Sequence, residues 1–114
     1  MFPLRCGRAG PSHGVAIGKL VVTIGVLQMD LRIPGARSLK DKRRVLKSLK
    51  QVLRNRFNCS VAEVEFQDIW GRSRLAVCVV SDEGRHANDQ LNKIANFAAH
   101  KNGAELLDYQ IEML

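Results

Sequence analysis

Apolar positions along this chain repeat with two different periods, separated by turn residues, and the alternation of the two implies a layered domain. From Val21 to Ile33 the pattern is strand-like. Its second half sets Leu27, Met29, Leu31 and Ile33 against Gln28, Asp30 and Arg32, and Pro34-Gly35 ends it. Ser38 then precedes Leu39-Lys40-Asp41, a capping-box arrangement with Asp where Glu is commoner. It opens a helix whose Leu39, Val45, Leu46, Leu49, Val52, Leu53 and Phe57 share one face at roughly 100° per residue, with Asn58 as the stop. Val61 to Trp70 alternates again, Ala62, Val64 and Phe66 against Glu63, Glu65 and Gln67, and Gly71-Arg72-Ser73 is the expected turn.

Leu75 to Val80 (LAVCVV) is apolar at both parities, as a central strand would be. Ser81-Asp82-Glu83 opens a second helix with Ala87, Leu91, Ile94, Ala95 and Ala98 at spacings of three and four, and Gly103 closes it. In the last strand, Glu105 to Met113, Leu107, Tyr109, Ile111 and Met113 alternate with Asp108, Gln110 and Glu112. The order β-α-β-β-α-β predicts an α+β fold of the ferredoxin-like split βαβ type: a four-stranded antiparallel sheet with two helices on one face. Residues 1–19, rich in Gly, Pro and small polar residues without either period, are expected to be a flexible extension. Residues 20–114 then form a single domain, as a chain of 114 residues suggests.

Composition changes this picture little, but charge changes it considerably. No apolar run is long enough to span a bilayer, and residues 1–19 lack the uninterrupted apolar stretch of a signal peptide, so a cytoplasmic location is expected. Cys6, Cys59 and Cys78 are odd in number and widely spaced, which predicts free thiols and no metal site. The formal net charge is +7, and nine of the eighteen Lys and Arg residues lie between Arg37 and Arg56 beside one acid, Asp41. A merely solvated helix would gain a few tenths of a kcal/mol from each i,i+4 acid-base pair, and this one has no Glu to make them.

Arg37, Lys40, Arg43, Arg44, Lys47, Lys50 and Arg54 are therefore candidate phosphate contacts, with RNA the expected polymer because no DNA-groove-reading motif is present. Six cations along the helix face predict a salt slope, log K against log[salt], on the order of −4 to −5. Lys42 falls inside the apolar arc. It is expected either to snorkel or to be held at the sheet edge against a carboxylate or ligand. Trp70, Arg72 and Arg74 form a small aromatic-basic cluster able to stack on a base.

Strand parity assigns Asp30, Glu63, Glu65, Asp108 and Glu112 to the open face of the sheet, whose middle is apolar. An acidic open face without aromatics argues against base stacking there, and its apolar centre suggests a two-fold pairing of chains. His13, His86 and His100 are scattered, no nucleophile sits in a catalytic setting and no phosphate-cradling glycine loop occurs, so no enzymatic activity and no cofactor are expected.

The segments RSLKDKR (37–43), RNRFNCSVAE (54–63), QDIW (67–70) and LLDYQIE (106–112) resemble the YlxP-like family, small bacterial proteins classed as a domain of unknown function. The resemblance covers about residues 21–114 and implies a ferredoxin-like fold, with no catalytic residue. Genes of that family often lie among translation-initiation and ribosome-maturation genes, an associational pointer to RNA or the ribosome. Its members begin close to where Val21 lies, so residues 1–19 depart from the pattern. Two other classes stay open at this level: a small-ligand regulatory module, and a structural partner of a translation factor.

Overall fold

In the computed structural model, which describes residues 14–18 and 20–114, one long strand organises the whole sheet. The elements in chain order are β1 (Val15–Ile17), β2 (Leu20–Arg32), α1 (Leu39–Arg56), β3 (Ser60–Glu65), β4 (Arg72–Ser81), α2 (Gly84–Ala99) and β5 (Glu105–Met113). β2 pairs antiparallel with β4 on one side and β5 on the other, and β4 pairs with β3, so the main sheet runs β5-β2-β4-β3. This is the ferredoxin-like arrangement, with both helices packed on one face. β1 pairs with the start of β2, Val15 opposite Val22, ahead of the β4 and β5 pairings. That strand lies within the segment expected to be a flexible extension; residues 1–13 and 19, and with them Cys6 and His13, lie outside the described residues.

Alternation along β2 and β4 sets the core. Leu27, Met29 and Leu31 from β2 and Leu75, Val77 and Val79 from β4 are buried against the helices, so Ala76, Cys78 and Val80 are left to the open face. α1 contributes Leu46, Leu49 and Leu53, and α2 contributes Ala87, Leu91, Ile94, Ala95 and Ala98, the residues its periodicity named. Ser38 caps α1 by accepting from the Asp41 N–H at 3.1 Å, while the Asp41 carboxylate accepts from the Arg37 N–H at 3.1 Å. The capping box is thus closed one residue early, and the helix's sole acid is committed to its N-terminus, where the dipole favours it.

Three expectations are corrected. β3 ends at Glu65, and residues 66–71 make the connection, so Trp70 is in a turn while Arg72 and Ser73 already belong to β4. Within β3 the inward positions are Val61 and Glu63, not Ala62 and Val64; Val64 is about half exposed on the open face. The inward Glu63 meets Lys42, which is almost fully buried, needs a counter-charge and has no other ion partner among the described residues. In β5 a register shift between Asp30 and Leu31 of β2 lets Leu106, rather than Leu107, take the inward place opposite Leu31.

Candidate nucleic-acid interface

The cations of α1 are not equivalent once the helix is docked. Arg43, Lys47, Lys50 and Arg54, at spacings of four, three and four, form one stripe along the flank facing β3. With Leu46 and Glu63 they line a groove of about 300 Å³. From Arg43 to Arg54 the helix advances about 16 Å. Among the described residues Arg43, Lys47 and Lys50 form no ion pair. Arg54 donates from Nη2 to the Val61 carbonyl at 3.2 Å, which holds the C-terminal end of the stripe against β3.

The remaining candidates on this helix sit elsewhere. Lys40 and Arg44 are exposed outside the groove, Arg44 lying 3.5 Å from Asp41, and the backbone N–H of Arg37 belongs to the helix cap. Trp70 and Arg72 line a different, shallow hollow of about 380 Å³ with Arg32, Ile33, Pro34, Ala36 and Gly71. Of the ten residues the sequence pointed to, Arg43, Lys47, Lys50 and Arg54 share the groove, Trp70 and Arg72 share the hollow, and Arg37, Lys40, Arg44 and Arg74 line neither.

Beneath the groove lies a polar cluster that periodicity alone does not reveal. Lys42 Nζ is 2.8 Å from Glu63 Oε2 and donates to the Phe66 carbonyl, while the buried Ser73 hydroxyl donates to the same Glu63 oxygen at 2.7 Å. Phe66 has φ 68°, in the left-handed region that residues with a Cβ rarely occupy. That conformation presents its carbonyl to both Lys42 and the Ile69 N–H. A lysine inside an apolar arc was the one available signal for this cluster, and it did not identify the partner.

On the other side of the sheet, Arg74 reaches Asp30 and Glu65 together, with its Nη2 3.2 Å from Asp30 Oδ2. The hydrogen bond to Asp30 pushes the Arg74 guanidinium further up from its ordinary value, with the two carboxylate charges adding to it. Arg74 and Arg72 also lie 5.2 and 5.1 Å from the Phe66 ring centre, within cation–π range. Two of the acids expected on the open face are therefore neutralised in place, and a third, Glu63, is on the opposite side. The open face is less acidic than parity alone suggested. Glu105 is paired as well, with Arg32 at 3.0 Å.

Among the described residues no group of three or more His, Cys, Asp or Glu side chains could hold a metal ion, and no helix is long and apolar enough to cross a membrane. The family model described as "Protein of unknown function (DUF503)" matches residues 24–111. Over 74 residues the chain is 34% identical to a Bacillus subtilis (strain 168) protein described as "Uncharacterized protein YlxP", which spans 65% of this chain and 80% of that protein. The matched residues include α1 and β3, and so the whole groove.

Proposed function

The chain belongs to the DUF503 family, and because that description carries no activity, we propose from the groove itself that the protein is a non-enzymatic RNA-binding accessory protein. One observation carries this reading: a stripe of four cations on one helix flank faces a groove whose one acid among the described residues, Glu63, is already engaged by Lys42. Uncompensated cations in a row suit a run of phosphates better than one small anion, because each neutralised phosphate releases counterions and adds to affinity. Ribosomal RNA is the first polymer to test, since genes of the family the sequence resembles often lie among translation-initiation and ribosome-maturation genes, an associational pointer.

The reading separates two faces of one helix. Arg43→Glu with Lys47→Glu alters the groove, whereas Lys40→Glu with Arg44→Glu changes the charge by the same amount outside it. Gel-shift titrations with structured ribosomal RNA fragments at low salt should show the groove variant losing at least about tenfold in affinity, with the outer variant losing much less. Equal losses would reduce the interaction to net charge, and no binding by the unaltered protein would remove the reading. The hollow beside Trp70, with Arg32 and Arg72 at its wall, favours a second reading in which a small planar anion is bound. Thermal shift against a nucleotide and metabolite panel separates that reading from RNA binding.

A further inference from the structure

Glu63 is out of place in a groove built for phosphates. A carboxylate beside four cations repels the anions they attract, and an ion partner for Lys42 alone could have been shut away from the groove. Instead the side chain keeps about a fifth of its surface exposed and lines the groove with Arg43, Lys47, Lys50 and Arg54.

Its orientation is constrained from the protein side. Lys42 and Ser73 both bind Oε2, at 2.8 and 2.7 Å, and among the described residues no hydrogen bond reaches Oε1. Each carboxylate oxygen can accept about two hydrogen bonds, so Oε1 retains its full accepting capacity. Lys42 is fixed in turn by the Phe66 carbonyl, which the left-handed backbone at that residue turns toward it. The acceptor is thus held rigidly by buried groups, and its charge is offset from behind.

Resting on the RNA reading above, we infer that Glu63 Oε1 accepts a hydrogen bond from a ribose 2′-hydroxyl whose flanking phosphates lie on the α1 cations, and so makes the groove selective for RNA over DNA. The chemistry is specific in both directions. A phosphate has no proton to offer a carboxylate, whereas the 2′-hydroxyl is a donor adjacent to the phosphodiester in RNA and absent from DNA. A hydroxyl-to-carboxylate bond is of the charge-assisted kind, whose loss is felt about tenfold or more in affinity.

The test uses three oligonucleotides of one sequence, with ribose, 2′-deoxyribose or 2′-O-methylribose throughout, titrated by fluorescence anisotropy against the full chain at low salt. The ribo-oligonucleotide should bind about tenfold tighter than either of the others, because both lack the donor proton. The double variant Lys42→Met, Glu63→Met removes the acceptor together with the buried charge that needs it, and a circular-dichroism melt confirms folding. In that variant the three oligonucleotides should bind within about twofold of one another. Equal binding of all three to the unaltered protein overturns the selectivity while leaving the groove as a phosphate site. Retention of the ribose preference in the folded double variant overturns the role of Glu63, and failure of every oligonucleotide to bind overturns both readings.

Discussion

At the scale of single residues, the least ordinary feature is a lysine with about 1% of its side chain exposed in the first turns of a helix. Burial of an ammonium is tolerable only with a counter-charge and further hydrogen bonds, and Lys42 has Glu63 and the Phe66 carbonyl. Removing one member should therefore cost more than removing the pair. Lys42→Ala strands the Glu63 carboxylate and should destabilise the fold by about 3 kcal/mol or more, whereas Lys42→Met with Glu63→Met should cost markedly less. Urea denaturation midpoints compare the two, and a single variant as mild as the double would contradict the account. Sequence alone could see that Lys42 fell within the apolar arc. It could not choose Glu63 as partner, because an alternating strand has two faces and the apolar alternative, Val64, looked the better inward residue. A counter-charge requirement from another element decided the strand's face, and such a requirement is invisible to a window of local sequence.

At the scale of elements, α1 combines two jobs on two flanks. Its apolar stripe was legible from spacing, and so was its cap, because 3.6-residue periodicity and a Ser followed by an acid are local signals. The division of its cations was not legible, since which flank borders β3 depends on how the helix docks. Like charges at i,i+4 between Arg43 and Lys47 and between Lys50 and Arg54, and at i,i+3 from Lys47 to Lys50, leave this flank with repulsion that no acid among the described residues relieves. Arg43→Glu with Lys47→Glu should consequently melt no lower than the unaltered protein, which makes its binding loss attributable to the groove. A drop in melting temperature of several degrees would show instead that these cations are structural. The β3–β4 connection was misplaced in the sequence reading for a different reason: Phe66 leaves the strand through a left-handed conformation that only Gly or Asn would advertise.

At the scale of the whole molecule, the sheet separates a groove on the helix side from an open face of Ile24, Val26, Ala76, Cys78 and Val80, with Val80 63% exposed. With Asp30 and Glu65 held by Arg74, the repulsion that opposed pairing of two such faces is reduced, and a two-fold dimer through this face is our proposal for its occupant. Cys78 reports on it. Burial pushes its thiol up from the ordinary value, and Cys59 is likewise raised by burial, with Arg54 partly offsetting, so both should alkylate slowly at neutral pH and faster as pH rises toward the thiolate. Peptide-resolved labelling across protein concentration should show Cys78 becoming protected while Cys59 is unchanged. Labelling of Cys78 that is independent of concentration would argue for a monomer.

The central claim, that the α1–β3 groove holds RNA phosphates, is tested most directly by the salt dependence of binding. Four groove cations, rather than the six that the bare helix suggested, predict a slope of log K against log[salt] of about −3 for single-stranded RNA. The Arg43→Glu, Lys47→Glu variant should fall to about −1.5 or shallower. A slope near zero in the unaltered protein, or one that the variant leaves unchanged, would contradict the account.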